Sequence, residues 1–177
     1  MIWINENFNI LSEEELIYLK DKCDNFVITQ KPNLSNNTHE KNLYNRYVLN
    51  LNDSLIKSII NKITNVVKET VRENLVDLKG LWINKVDYES NKTDGFHIDL
   101  IDLTFILYLN ENFDGGEFEY LDKKDKKNKK IKIKPKINLS IISNNELYHR
   151  VLPVLNGERF SLVMFFNVGK KKDYTLI

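Results

Sequence analysis

The sequence predicts an α+β protein in which helices support a mainly β, antiparallel body. The chain has 177 residues, of which 42% are hydrophobic, and this is enough for one domain with a substantial core. Helical signals occupy the first part of the chain, whereas short runs of β-branched and aromatic residues follow Gly80. We therefore expect a single domain over residues 1–177, with a helical N-terminal portion at 1–79 and a β core at 80–168.

The first predicted helix begins at a capping box. Ser12 and Glu15 are spaced so that hydroxyl and carboxylate can each accept a bond from the other residue's amide. Leu16, Leu19 and Cys23 then continue one apolar face. The polar stretch Gln30–Glu40, which contains Pro32 and His39, is typical of a loop.

A second, longer helix is predicted after Asn52 or Asp53, either of which can cap it. Its apolar residues recur with the 3.6-residue period of a helix. They are Leu55, Ile56, Ile59, Ile60, Ile63, Val66 and Val67. This stripe predicts a helix face buried in the core.

Six candidate strands follow Gly80, separated by Asp, Gly, Asn and Lys residues. They are LWINKVDY, LTFILYL, GEFEYL, IKIKPKI, NLSIIS and ERFSLVMFF. Their close spacing leaves no room for helical crossovers, so the pattern favours an antiparallel barrel or sandwich over βαβ units.

A lysine-rich segment joins two of these candidate strands. Nine lysines lie between Lys123 and Lys136, and Asp122 and Asp125 are the acidic residues beside them. The flanking strands predict a hairpin whose charged tip stays in solvent, and electrostatic capture of an acidic partner is the alternative.

Composition excludes several classes of protein. The formal net charge of +1 gives no general reason to expect binding to nucleic acid or to an anionic membrane. Cys23 is the single cysteine, so neither an internal disulfide framework nor a cysteine zinc cage is expected. The start MIWINENFNI lacks the features of a signal peptide, and no apolar run could span a bilayer. We expect a cytoplasmic protein.

Two of the three histidines lie in β-rich sequence beside a carboxylate or an arginine. His97 and Asp99 are two residues apart, so on an extended chain both side chains point to one face. His149, from another strand, would complete a set of two histidines and one carboxylate. Such a set leaves coordination positions open and is typical of non-haem Fe(II) oxygenases, although catalytic zinc uses the same ligands.

The last candidate strand, ERFSLVMFF, carries an arginine on one of its faces. Arg159 and Ser161 share that face, while Phe160 and Leu162 share the other. A guanidinium inside a barrel requires an anionic partner, and a small dicarboxylate would meet it with bidentate geometry.

Several motifs then resemble one family. In order they are VDY (Val86–Tyr88), FHID (Phe96–Asp99), ILYLN (Ile106–Asn110), FDGGEF (Phe113–Phe118) and YHRVLPVLNGERFSL (Tyr148–Leu162). Together they resemble the 2-oxoglutarate/Fe(II)-dependent dioxygenases, in particular the prolyl 4-hydroxylase-like branch. The resemblance covers about half of the chain, from roughly residue 80 to residue 167, and the last motif is its most specific part.

The resemblance implies a double-stranded β-helix, the jelly-roll core shared with cupins, and a set of site residues. His97, Asp99 and His149 would hold Fe(II). Arg159, helped by Ser161, would bind the distal carboxylate of 2-oxoglutarate, and Tyr88 and Tyr108 are further candidates for contact with this co-substrate. The implied reaction consumes O2, hydroxylates a C–H bond, and releases succinate and CO2. L-Ascorbate is the reductant that such enzymes use.

The substrate implied by the resemblance is a prolyl residue of a peptide or protein. A free amino acid or another small molecule is the alternative, as is a catalytically silent binding module of the same fold. The nucleic-acid demethylase branch carries a second arginine where this chain has Phe165, so that branch is disfavoured.

One departure from the family concerns a turn. A glycine that the family has after Pro135 is absent, and Lys136, Ile137 and Asn138 follow instead. Because asparagine tolerates a positive φ better than most residues, we expect the turn to persist.

Overall fold

The computed structural model describes residues 1–5, 9–24, 45–89, 95–122 and 129–169. These residues form two helices and ten strands, so the predicted α+β, mainly β fold class is confirmed. The elements are β1 (Ile2–Asn5), α1 (Glu13–Asp24), β2 (Asn45–Val48), α2 (Ser54–Val71), β3 (Val76–Asp87), β4 (Leu103–Tyr108), β5 (Phe113–Gly115), β6 (Phe118–Asp122), β7 (Lys129–Ile133), β8 (Ser140–Asn144), β9 (His149–Val151) and β10 (Val154–Val168).

The strands form two antiparallel sheets. The larger has seven strands in the order β1-β8-β4-β10-β3-β2, with β5 paired to β10 outside this path. The smaller has three strands in the order β7-β6-β9. Strands that are distant in sequence lie side by side in both sheets, as expected for a jelly roll.

Both predicted helix starts are confirmed. In α1 the Glu15 amide donates to Ser12 Oγ at 3.2 Å, and the Ser12 amide donates to Glu15 Oε2 at 2.9 Å. In α2 the cap is Asp53, whose Oδ1 accepts from the amides of Leu55 and Ile56 at 2.9 and 3.2 Å. The structure therefore selects Asp53 over Asn52 as the cap.

The main core lies between the helices and one face of the larger sheet. The predicted apolar stripe of α2 supplies Ile56, Ile59, Ile63 and Val67, all of which are buried. They pack in one cluster with β4 and β10 residues that include Phe105 and Leu162. Burial of this stripe is what fixes the helices against the sheet.

A second core cluster joins the two sheets. It contains side chains from β4 and β8 of the larger sheet and from β6 and β7 of the smaller sheet. The buried members are Tyr108, Phe118, Tyr120, Ile133, Leu139, Ile141 and Leu147. The two sheets therefore pack face to face, with the inner face of the larger sheet turned away from the helices.

All six predicted strands are present, as β3, β4, β6, β7, β8 and β10. The four strands that the sequence did not predict are β1, β2, β5 and β9, and each has only three or four residues. The N-terminal portion thus contains strands as well as helices, because β1 pairs with β8 and β2 pairs with β3.

The predicted lysine hairpin is confirmed where the chain is described. β6 and β7 are antiparallel neighbours, with Asp122 opposite Lys129, and residues 123–128 lie outside the described residues. The predicted loop Gln30–Glu40, with His39, also lies outside them.

The expected turn after Pro135 is present. Asn138 adopts a φ of 63°, in the left-handed region. Its side chain also accepts from the Leu11 amide at 3.2 Å and donates to the Leu11 carbonyl at 2.7 Å. Asn138 therefore replaces the family's glycine and ties the β7–β8 loop to the segment that precedes α1.

Within the described residues, neither helix is both long and apolar enough to cross a membrane.

Candidate functional site

The structure brings His97, Asp99 and His149 together although they come from two distant segments. His97 and His149 form a β-bridge in which each amide donates to the other residue's carbonyl at 2.9 Å. One oxygen of Asp99 lies 3.9 Å from His97 Nε2, and the other lies 3.7 Å from His149 Nε2. One ligand atom of each residue lies within 4.8 Å of the others, a spacing that a single metal ion can bridge.

Backbone carbonyls orient both imidazole rings. His97 Nδ1 lies 3.0 Å from the Gly95 carbonyl, and His149 Nδ1 lies 3.0 Å from the Leu147 carbonyl. Because a carbonyl only accepts, each Nδ1 must carry the proton and each Nε2 is left as a lone-pair donor. The atoms that face Asp99 are therefore the ones that can bind a metal.

The carboxylate is also held in position. Thr104, in β4, donates from its hydroxyl to Asp99 Oδ2 at 2.6 Å. Phe118 stacks on the His149 ring at a centroid distance of 5.0 Å and an interplanar angle of 17°. These contacts restrict the rotamers of two candidate ligands before any metal binds.

The cluster has one closed and one open side. The His149 side chain is 6% exposed, whereas the His97 side chain is 41% exposed. The half-exposed position of His97 gives a reactant access to the cluster from solvent.

Arg159 lies on the same inner face of the larger sheet, and it is buried. Its Nη1 donates to the Gly116 carbonyl at 3.1 Å. Gly116 has a φ of +68°, and a Cβ there would lie 3.3 Å from Cδ of Arg159. A glycine at this position lets the β5–β6 loop approach the arginine side chain closely.

Ser161 and Tyr108 lie beside Arg159. Ser161 is directly opposite Tyr108 in the β10–β4 pairing, so both side chains share one face, and both are buried. Burial raises the pKa of Tyr108 to about 12, and the positive charge of Arg159 opposes part of this shift. Tyr108 is thus a neutral hydrogen-bonding group near a buried cation.

Tyr88, the remaining predicted residue, is placed differently. It follows the end of β3 and is 69% exposed. The structure does not bring it into the buried group of Arg159, Ser161 and Tyr108, so its co-substrate role stays a prediction.

Sequence reasoning missed the groups that orient the candidate ligands. Thr104 sits five residues after Asp99, and no motif marks it. The carbonyls of Gly95, Leu147 and Gly116 are backbone groups whose direction depends on tertiary structure. Only Gly116 left a signal in the sequence, since glycine often marks a close approach of backbone, whereas a Cβ at Gly95 would meet nothing within 4 Å.

Comparison with protein families gives one match over this region. Residues 85–167 match the model of the 2OG-Fe(II) oxygenase superfamily, a range that contains all of the candidate site residues. No curated protein sequence matches the chain at the significance that we required.

The fold is similar to that of several solved structures. A prolyl hydroxylase from Trichoplax adhaerens, in complex with a hypoxia inducible factor oxygen degradation domain peptide fragment, aligns with a TM-score of 0.73 and 16% identity, over 99% of this chain and 87% of that one. A prolyl-4-hydroxylase from Pseudomonas putida aligns with a TM-score of 0.68 and 14% identity, over 96% and 93%. The viral collagen prolyl hydroxylase of Paramecium Bursaria Chlorella virus-1 aligns with a TM-score of 0.63 and 16% identity, over 95% and 96%.

Proposed function

We propose that this protein, whose residues 85–167 belong to the 2OG-Fe(II) oxygenase superfamily, uses Fe(II), 2-oxoglutarate and O2 to hydroxylate a C–H bond of a peptide. The observation that supports this proposal most directly is the spacing of His97, Asp99 and His149, whose ligand atoms lie within 4.8 Å of one another. Two imidazoles and one carboxylate on one face of a metal leave the open positions that oxygen chemistry requires.

The donor set fits ferrous iron. Both Nε2 atoms are available as ligands because both Nδ1 protons are engaged by carbonyls. The Thr104 hydroxyl holds one Asp99 oxygen and reduces the freedom of the carboxylate. Bound iron and 2-oxoglutarate would supply the oxidising chemistry, with succinate and CO2 as by-products.

Arg159, Ser161 and Tyr108 are our candidates for 2-oxoglutarate binding. A buried guanidinium is stabilised by an anion, and the planar carboxylate of a small dicarboxylate matches its donors. With its pKa raised to about 12, Tyr108 keeps its proton at neutral pH and can donate to a carboxylate oxygen. These three residues bind and orient, and burial keeps water away from the same region.

A prolyl residue of a peptide or protein is the substrate that we propose. Support comes from the prolyl hydroxylases among the structurally similar proteins, one of which was solved with a peptide fragment. The exposed side of His97 also leaves room for a large reactant. The role of L-ascorbate as reductant stays a prediction.

The test is anaerobic addition of Fe(II) and 2-oxoglutarate to the purified protein. We expect the visible charge-transfer band of the iron chelate, followed by succinate formation when air and a substrate peptide are admitted. His97→Ala should lose both signals, whereas Arg150→Lys, on the outer face of β9, should keep them. Absence of the band and of succinate in the wild type would overturn the proposed activity and favour a silent binding module.

A further inference from the structure

Two polar side chains on the inner face of β3 have no assigned role. Trp82 and Asn84 are two residues apart and therefore point to the same side of the sheet. In the β3–β10 pairing, Asn84 lies opposite Ser161 and Trp82 lies opposite Val163. Both side chains consequently share the face that carries Arg159 and Ser161.

This part of β3 lies close to the candidate iron site. Thr104, which donates to Asp99, lies opposite Phe165 in the β4–β10 pairing. Phe165 packs edge-on against Trp82, with ring centroids 4.8 Å apart and an interplanar angle of 88°. A group bound at Trp82 is therefore separated from Asp99 by two side chains.

The indole of Trp82 is held in place on two further sides. Gly80 lies beneath it, and a Cβ at that position would be 2.8 Å from Cζ3 of the indole. The guanidinium of Arg46, in β2, lies 4.8 Å from the centroid of the ring. The ring is thus positioned by the sheet and not free to reorient.

The polar atoms of these two side chains are buried. Neither Trp82 Nε1 nor Asn84 Oδ1 has a hydrogen-bond partner within the part of the chain that the structure describes. Buried polar groups are nearly always paired, because an unsatisfied donor or acceptor loses its bond to water without compensation. A buried donor and a buried acceptor two residues apart on one face of a strand indicate a ligand that supplies one acceptor and one donor.

The chemistry of the two atoms narrows the class of ligand. 2-Oxoglutarate offers only acceptors, so it can satisfy the indole N–H but not the amide oxygen of Asn84. The ammonium of a free amino acid could donate to Asn84 Oδ1, but it would place a second positive charge beside the Arg46 guanidinium, which lies opposite Asn84 and 4.8 Å from the Trp82 ring. A peptide main chain offers a carbonyl and an N–H, both uncharged.

We propose that Trp82 and Asn84 bind the main chain of the peptide substrate, with Trp82 Nε1 donating to a carbonyl and Asn84 Oδ1 accepting from an N–H. This inference rests on the proposed function, since it requires a peptide to approach the iron. It assigns substrate binding to β3, on the side of β10 that is remote from β4.

The test follows the indole N–H resonances of the two tryptophans, Trp3 and Trp82, by NMR. Protein loaded with Zn(II) and 2-oxoglutarate, which cannot turn over, is titrated with the blocked peptide acetyl-Ala-Ala-Pro-Ala-Ala-amide and separately with free L-proline. The Trp82 signal is identified by its loss in Trp82→Phe. We expect the peptide to shift the Trp82 signal downfield and leave Trp3 unmoved, whereas L-proline should shift neither.

Affinity measurements complete the test. Trp82→Phe and Asn84→Leu should each raise the dissociation constant of the peptide at least tenfold and change that of 2-oxoglutarate less than twofold. Lys85→Leu, on the opposite face of β3 where its ammonium lies 5.2 Å from the Phe160 ring centroid, should bind the peptide as the wild type does. No Trp82 shift with the peptide, an equal shift with L-proline, or unchanged peptide affinity in both variants would overturn the inference. If the proposed function is wrong, the wild-type protein will instead show no visible charge-transfer band with Fe(II) and 2-oxoglutarate.

Discussion

Thr104 shows how one side chain outside the ligand set can control it. Its hydroxyl donates to Asp99 Oδ2 at 2.6 Å, and Asp99 faces both histidines. Removing such an orienting contact typically weakens metal affinity about 10- to 100-fold. We expect Thr104→Val to raise the dissociation constant for Fe(II) or Zn(II) by that amount, measured by competition with a chelator. Thr104→Ser, which keeps the hydroxyl, should restore most of the affinity, and a Val variant with wild-type affinity would contradict this role.

The buried cation Arg159 gives a second prediction at this scale. A hydrogen bond to a charged partner contributes roughly 1.5–3 kcal/mol, which corresponds to about 10- to 100-fold in affinity. Lysine cannot reproduce the planar bidentate contact, so Arg159→Lys should raise KM for 2-oxoglutarate by at least tenfold with a smaller effect on kcat. Arg150→Lys is the matched control, because Arg150 is on the outer face of β9 and its guanidinium pairs with Glu119 at a distance of 2.6 Å. An equal effect of both substitutions would remove the argument for Arg159.

Tyr108 predicts a dependence of stability on pH. Burial raises its pKa from 10.0 to about 12, so between these values the unfolded chain loses the phenolic proton while the folded chain keeps it. The free energy of unfolding is therefore unaffected by this group below pH 10, and it falls as the pH rises through 12. The total loss should be roughly 2–3 kcal/mol, at about 1.4 kcal/mol for each unit of pKa shift. Urea unfolding at pH 9 to 12 should show a shallower decline for Tyr108→Phe; parallel declines would contradict this.

At the scale of elements, Asn138 joins a turn to a helix start. It combines a φ of 63° with two hydrogen bonds to the backbone of Leu11. We expect Asn138→Ala to lower the free energy of unfolding by roughly 2–4 kcal/mol, since it loses both bonds and keeps the unfavourable φ. Asn138→Gly should cost about 1–2 kcal/mol less than Ala, because glycine tolerates this φ. Chemical denaturation measures both, and equal losses would show that backbone conformation makes no contribution.

The sequence could predict the elements with strong local signals and missed the rest. Ser12 with Glu15 marks the start of α1, and the six long apolar runs mark strands, because capping and side-chain period are local properties. Strands such as β5 and β9 have three residues each, too few to show a period, and they exist because long-range pairing satisfies their backbone groups. The pairing of β1 with β8 has no local signal for the same reason.

At the scale of the whole molecule, the candidate ligands come from two segments that meet only in the folded chain. His97 and Asp99 precede β4, and His149 begins β9. A metal that binds this set and not the unfolded chain must stabilise the fold, by about 2.7 kcal/mol at a hundredfold excess over Kd. For a chain of this size we expect Zn(II) to raise Tm by roughly 5–10 °C. Scanning calorimetry should show the rise in wild type and in His39→Ala but not in His97→Ala.

Sequence reasoning could name the candidate site but not its surroundings. The spacing of His97 and Asp99, and that of Arg159 and Ser161, defines shared faces of an extended chain, so these pairs are visible without a structure. Which strands lie opposite them depends on register between distant segments. That is why Thr104, Trp82 and Asn84 could not be found from the sequence.

The strand β10 spans 15 residues and contributes side chains to both faces of the larger sheet. Phe160 and Leu162 pack in the helix-side core, while Arg159 and Ser161 alternate with them on the inner face of the sheet. A change in the volume of the helix-side residues shifts the backbone that carries Arg159 and Ser161. Substitutions on the helix side of β10 can therefore change the geometry of the candidate site, and with it the choice of substrate, while every candidate ligand-binding side chain is retained.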